Sequence, residues 1–300
     1  MRKGFDVPIE TDSILLFGAT GLLGKALLCE IKSRNIPVVG VARSDADLCM
    51  DIQEDKALVD AVHSQKFSII INACAIVNHQ LCETDPGLAY RVNARPSAIL
   101  ADLAQKTQAY YVFVSTDGFY HSHGGKKHSE QEDVVLLNEY ARTKYCGERF
   151  TLLNSQSLVV RTNIVGFSKR SSQPTFVEWI LQSIAANTPI TLFEDYFTSS
   201  LTVAHFSTAL CNLLGSRPSG LLNLASSQVF SKSEFIQKLI EVFQLDYANY
   251  RIGSVNELKG PKRADSLGLD VSKAHGLLGY KLPNLEEVIE QLRREYHAMG

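Results

Sequence analysis

Apolar, β-branched runs and helical patterns alternate along the chain, and that rhythm predicts its architecture. Strand-like runs fall at Ile14–Phe17, Pro37–Val41, Ser68–Asn72, Tyr110–Ser115, Leu158–Arg161 and Ile190–Phe193. Helix-like stretches between them include Leu22–Ser33, Pro86–Gln105 and Glu139–Leu153. Strand and helix in strict turn predict an α/β fold: a parallel sheet, doubly wound, with helices on both faces. Ligands of such sheets bind outside the carboxyl ends of the strands. The segments 121–134 and 166–174 are polar and rich in Gly and Ser, and read as loops. Beyond about Arg161 strands thin out and helices multiply, consistent with a smaller, mostly helical lobe.

Composition narrows the picture. In 300 residues, 45% are hydrophobic and 21% charged, enough to build a core in one large α/β domain or in a larger and a smaller one. A net charge of −2 gives no broad footprint for nucleic acid or an anionic membrane. The local clusters Lys126-Lys127 and Lys259 with Lys262-Arg263 are too small to alter this, though they suit a phosphate. The six cysteines show no C-x-x-C pairing or metal-ligand spacing, so free thiols in a reducing compartment are expected. No apolar leader opens the sequence and no run approaches membrane-spanning length, which points to the cytoplasm. His121, His123 and His128 share a polar loop without a nearby Cys or a helical register. A solvated loop over the site is expected there, and no metal. Trp179, with Phe176 and Ile180, has helical spacing and reads as core, as does the stripe Leu285, Val288, Ile289 and Leu292.

The chemistry begins at Gly18-Ala19-Thr20-Gly21-Leu22-Leu23-Gly24, between a strand and a helix. Residues without a Cβ let the backbone approach phosphate oxygens, and the helix start offers free N–H groups and partial positive charge. The spacing is G-x-x-G-x-x-G, and it predicts a pyrophosphate site in a Rossmann-type domain. That domain is expected over residues 1–162, with 189–216 returning to it; residues 163–188 and 217–300 would form the substrate lobe. The second strand ends in Ala42-Arg43-Ser44 with no carboxylate before Arg43, which favours NADP(H) over NAD(H). The alternative is a solvated surface arginine. Asp51 and Ile52 sit where an adenine edge could be read.

Tyr140 and Lys144 lie four residues apart on a predicted helix, hence on one face. A cation beside a phenol lowers its pKa and makes Tyr140 a usable proton donor and acceptor near neutrality. The strand ending in Ser115-Thr116 precedes them and places hydroxyls at the carboxyl end of the sheet, where a substrate carbonyl would lie.

With these blocks in order, the chain resembles an extended short-chain dehydrogenase/reductase, and more narrowly the dTDP-4-dehydrorhamnose reductase group. Asn72-Ala73-Cys74-Ala75 resembles the segment that lines the cofactor. Asn78, Cys82-Glu83 and Tyr90 to Asn93 follow in the family's order. So do Ser115-Thr116-Asp117, Leu137-Asn138, Arg161-Thr162-Asn163, Gly220–Leu224, Ser231-Lys232, Phe235 and Leu269 to Gly279. The resemblance implies that Tyr140 protonates a nascent alkoxide, that Lys144 holds the nicotinamide ribose, and that Thr116 bonds the carbonyl. It implies cofactor contacts from Ala73, Cys74, Ala75 and Ser115, and substrate contacts from Asp117, Asn163 and Arg263. Asn93 would support the active-site backbone or simply satisfy a buried carbonyl.

The departures fall on the substrate side. The family's R-T-S-W-V-Y-G reads Arg161-Thr162-Asn163-Ile164-Val165-Gly166, without the aromatic. Its D-x-F-x-x-P-T reads Asp195 to Leu201 without Pro or Thr, and Leu136 and Ala264 replace prolines. The expected function is NADPH-dependent reduction of a nucleotide-activated 4-keto-6-deoxy sugar in surface-polysaccharide or deoxysugar biosynthesis, by a protein that pairs with a second copy. Two other readings stay open. A redox-neutral epimerase or dehydratase would keep NAD, but Gly118 follows Asp117 where related dehydratases carry Glu. A non-enzymatic subunit resembling the regulatory partner of methionine adenosyltransferase would tolerate loss of the Tyr140–Lys144 pair, which is intact here.

Overall fold

The structure, a computed structural model, describes residues 13–168 and 174–299. The opening stretch read above for a leader, and residues 169–173 of the polar stretch 166–174, fall outside them. Six parallel strands run in chain order: β1 (Ile14–Phe17), β2 (Val38–Ala42), β3 (Leu48–Cys49), β4 (Ile69–Asn72), β5 (Tyr110–Val114) and β6 (Ser157–Arg161). With the strand Gly220–Asn223 they make one seven-stranded sheet, ordered Gly220–Asn223, β6, β5, β4, β1, β2, β3. Every pairing in it is parallel. The order reverses between β1 and β4, and that reversal opens a crevice at their carboxyl ends.

Helices α1 (Leu22–Ser33), α2 (Asp55–His63), α3 (His79–Thr84), α4 (Pro86–Asn93), α5 (Arg95–Thr107) and α6 (Glu139–Thr151) interleave with these strands. Then come α7 (Phe176–Ala185), α8 (Val203–Leu214), α9 (Lys232–Val242), α10 (Ser272–Leu278) and α11 (Leu285–His297). Successive strand side chains point to opposite faces, so each face builds its own core. Ile14, Leu16, Ile69, Ile71 and Val112 join Leu27 of α1 and Phe206 and Leu210 of α8. Leu15, Phe17, Ile70, Tyr111 and Phe113 join Leu58 of α2 and Leu100 of α5. Both faces are covered, which is why these strands read as continuous apolar runs.

Several expectations change here. Ile190–Phe193 is a strand but pairs with Tyr250–Gly253 outside the large sheet, whereas Gly220–Asn223 lies inside it. The expected helix Pro86–Gln105 is two helices, broken at Ala94 (φ −119°, ψ −60°). Pro96 lacks the N–H that would continue the ladder. Trp179 is 41% exposed, beside Phe176 on the flank of α7, while Ile180 is buried. The C-terminal stripe Leu285, Val288, Ile289 and Leu292 is buried as expected.

The segment 121–134 is not simply a solvated loop. His128 has no exposed surface and stacks on Tyr120 at 3.9 Å between centroids. Its ring nitrogens meet Glu132 at 2.9 Å and Ser266 at 3.0 Å. A ring whose two nitrogens both find partners can be buried without penalty. Burial opposes ionisation of Glu132, yet hydrogen bonds from Lys126, His128 and the Ser129 amide hold its carboxyl down at about 2, from an ordinary 4.5. Such a group adds stability above its unfolded pKa and loses it as pH falls toward the folded one. Glu132→Gln should cost about 1–3 kcal/mol at neutral pH. Denaturant titrations should show the gap to wild type narrowing below pH 4.5. A gap constant with pH would remove the carboxylate from the account.

Candidate active site

The crevice is built first from glycine. Gly18, at φ +85°, turns the chain out of β1, and Gly21 caps α1 with no side-chain bond. The first α1 amides, Leu22 to Gly24, therefore have no intrahelical acceptor. A Cβ on Gly24 would fall 1.9 Å from the Gly18 carbonyl oxygen, and one on Gly18 would meet the Ala73 backbone at 3.0 Å. The turn is closed against the end of β4 and admits backbone approach only. This is the cradle that a dinucleotide's pyrophosphate requires, and the residues present fit it. Gly24→Ala should weaken NADPH binding by tenfold or more, about 1.4 kcal/mol per decade. A fluorescence titration checks it, with circular dichroism confirming the fold.

Charges gather where the cofactor's far end would run. Burial pushes the Cys74 thiol up to about 12, against the pull of Lys144 and Arg43 and with the push of Asp51. Arg43, Asp51, Cys74 and Lys144 thus share one neighbourhood. Arg43 is exposed at the end of β2, with no carboxylate bonded to it among the described residues. Ser44 donates to Asp45 at 3.1 Å. Asp51 accepts from the Gln53 amide at 3.0 Å, and Ile52 packs on the core beside it. Asn93 holds both backbone groups of Ile76, at 2.7 and 3.1 Å, and so positions the loop carrying Ala75.

Thr116 lies just beyond β5 and α6 presents Tyr140 to it. Asn138 caps α6 by accepting from the Ala141 amide at 2.8 Å, and its own amide donates to the Lys262 carbonyl at 2.8 Å. One residue therefore fixes both the Tyr140 helix and the segment bearing Arg263. Thr116 is buried, accepts from the Gly118 amide at 3.1 Å, and is hydrogen-bonded to Tyr140. Burial pushes the Tyr140 phenol up to about 12, and the Thr116 bond only partly offsets it. This corrects the expected lowering by Lys144. The ammonium donates instead to the Val114 carbonyl at 2.7 Å and lies 4.1 Å from the Phe113 ring centre. Burial brings Lys144 itself down to about 7, against the attraction of Glu148 and Cys74.

Ser115 does not turn its hydroxyl to the crevice. It donates to Glu148 Oε1 at 2.6 Å, inside a buried network. Arg161 grips the same carboxylate with Nε at 2.9 Å and Nη2 at 2.7 Å, and donates to Tyr120 at 2.8 Å. The network ties β5, α6 and β6 together directly beneath Lys144.

The substrate side also assembles. Asp117 is 3% exposed, with Thr116 3.4 Å from its Oδ1 and a hydrogen bond from Asn163. Burial pushes its carboxyl up to about 7, although Lys232 opposes the shift. Ser200 donates to Asn163 at 2.6 Å and Leu201 pairs with Ile164, so these departures are knit into one wall. Arg263 is exposed, hydrogen-bonds Tyr196, and acts on His79. Four residues here had no assigned role: Glu148, His79, Tyr196 and Lys232. His79 tilts over the Tyr140 ring at 4.7 Å, and burial, with Arg263, brings it down to about 4. Glu148 alone left a readable sign, standing one turn beyond Lys144 on the same helix.

The family model for the RmlD substrate binding domain matches residues 12–297. A probable low-salt glycan biosynthesis reductase of Haloferax volcanii is 25% identical over 289 residues, covering 93% of this chain and 96% of its own. Methionine adenosyltransferase 2 subunit beta of Xenopus laevis is 31% identical over 160 residues, 52% of this chain and 47% of its own. Among solved structures, a dTDP-4-dehydrorhamnose reductase of Bacillus anthracis in complex with NADP superposes with a TM-score of 0.85 at 22% identity. That superposition covers 95% of this chain and 99% of that one.

Proposed function

The chain belongs to the RmlD substrate binding domain family, and from that premise we propose that it reduces a nucleotide-activated 4-keto-6-deoxy sugar with NADPH. One observation carries the reading: Thr116 and Tyr140 are hydrogen-bonded at the carboxyl end of β5, one turn from Lys144 and on the same carboxyl edge of the parallel sheet as the glycine cradle that follows β1. The names of the Haloferax and Bacillus proteins, both reductases, support it.

When bound, the reduced nicotinamide supplies a hydride to the keto carbon. Thr116 and Tyr140 hold the carbonyl oxygen and set its face toward the cradle. As negative charge gathers on that oxygen, Tyr140 gives it a proton. A buried phenol is fully protonated at neutral pH, so the donor is always loaded. Lys144 of α6, whose ammonium reaches the end of β5, would hold the nicotinamide ribose. Arg263 at the mouth meets the sugar-nucleotide diphosphate, for which a guanidinium fork is suited. Arg43 receives the adenosine 2′-phosphate.

The test is NADPH absorbance with dTDP-4-keto-6-deoxy-L-mannose generated in the cuvette and NADH run in parallel. NADPH should be consumed, and NADH more slowly. Copurified oxidised NAD with no net consumption would replace the reductase by a redox-neutral epimerase or dehydratase. The likeness to the Xenopus subunit favours a second reading, a binding subunit for a methionine adenosyltransferase. Cofactor binding without any turnover, and coelution with such an enzyme, would select it. Among the described residues no helix is long and apolar enough to cross a membrane.

A further inference from the structure

Lys232 brings a second cation into the pocket that the reduction itself does not call for. It is the first residue of α9, whose start is fixed by a reciprocal cap between Ser231 and Glu234. Its ammonium lies 4.3 Å from the Phe176 ring centre, 5.8 Å from Tyr196 and 5.9 Å from Phe235. Aromatic faces attract a cation but accept no directed hydrogen bond of the ordinary strength. Among the described residues no oxygen takes one of its protons. The charge it interacts with is Asp117, next in sequence to Thr116. Asp117 is almost wholly buried, and its Oδ2 has no hydrogen-bond partner. A half-buried ammonium that no described oxygen engages and a buried carboxylate with an unpartnered Oδ2 thus border the place where Thr116 and Tyr140 hold a carbonyl. A buried carboxylate oxygen left unsatisfied is costly unless a ligand completes it.

The pair restricts what that ligand can be. An acidic substituent would gain from Lys232 and be repelled by Asp117. An apolar one would leave both groups unmatched. A hydroxyl satisfies both, accepting from Lys232 Nζ and donating to Asp117 Oδ2. Its place on the ring follows from the spacing of Thr116 and Asp117. Thr116 Oγ1 stands 3.4 Å from Asp117 Oδ1, the other oxygen of the same carboxylate, so a carbonyl at Thr116 brings the neighbouring carbon's substituent toward Asp117. We propose that Lys232 and Asp117 form a clamp for a sugar hydroxyl, and that the substrate carries a free hydroxyl on the carbon adjacent to the keto carbon. The clamp rests on the reductase reading for the identity of that carbon. It makes Lys232 a specificity-determining residue, and substrates deoxygenated at that carbon poor ones.

The experiment compares dTDP-4-keto-6-deoxy-L-mannose with its 3-deoxy analogue, in wild type and Lys232→Met. Wild type should favour the hydroxylated sugar by about a hundredfold or more in kcat/KM, as sites built around a substrate hydroxyl do. Lys232→Met should lose most of that preference, acting on the deoxy sugar within about threefold of wild type and binding NADPH unchanged. If Lys232→Met fails to fold, Lys232→Gln, which keeps most of the stem and a polar end but no charge, should likewise weaken the hydroxylated sugar more than the deoxy one. Calorimetry with dTDP-L-rhamnose and its 3-deoxy counterpart, with NADP present, needs no turnover. Should neither keto sugar be reduced, the reductase reading falls and calorimetry alone judges the clamp. A wild type that treats the two sugars alike overturns the clamp, as does a variant that loses both equally, and either result leaves the reductase reading standing.

Discussion

Tyr140→Phe should lower kcat by about three orders of magnitude, within the range proton transfer by a positioned side chain supplies, and leave NADPH affinity nearly unchanged. The substitution removes one oxygen and keeps the ring that His79 covers at 4.7 Å. It also leaves the glycine cradle untouched, so cofactor binding has no reason to fall. Burial keeps the phenol protonated, and the bond to Thr116 aims it. Neither neighbouring base simply takes over: Lys144 is turned to the Val114 carbonyl, and His79 lies over the ring. Single-turnover rates at saturating NADPH isolate the chemical step. An unchanged rate would move the proton donor elsewhere, with Asp117 first to be tested. A KM rise with kcat intact would instead make Tyr140 a binding residue.

Much of this site is legible in the sequence. The glycine turn could be read because its chemistry is local, needing only a strand, residues without Cβ and a helix start in sequence. Tyr140 and Lys144 could be read because four residues along a helix is a fixed geometry. The reading failed where the answer depends on partners distant in sequence. Ile190–Phe193 has a strand's composition, but nothing in it specifies Tyr250–Gly253 as its neighbour. The lowered phenol pKa was expected from proximity alone. The reach of Lys144 to Val114 and the cost of burial decide otherwise. The resemblance implies a cofactor contact from Ser115, whereas its hydroxyl answers to Glu148 on α6. In the sequence Lys232 is only one residue of the block that follows Ser231, with no role attached. Only the fold shows the three aromatic rings around it and the carboxylate it faces.

Glu148→Ala should destabilise the protein by about 3–5 kcal/mol, the usual loss when one half of a buried ion pair is removed. Arg161 would keep the Tyr120 hydroxyl and the Phe119 ring, 4.9 Å away, but no counter-charge, and Ser115 would lose its acceptor. A denaturant melt reads that loss. The effect on catalysis is separable from it. Burial lowers the Lys144 ammonium to about 7 and Glu148 works against that fall. Removing Glu148 therefore lowers Lys144 further and discharges more of it at neutral pH. The alkaline limb of the pH–rate profile should move to lower pH and NADPH binding should weaken. Replacing Arg161 as well, in Glu148→Leu/Arg161→Met, takes out the stranded charge and should restore most of the stability. It leaves Lys144 without its carboxylate, so the shifted profile should persist. If the double variant recovers both, Glu148 matters only as the partner of Arg161. If stability returns and the profile does not, Glu148 is the positioning residue that keeps Lys144 charged.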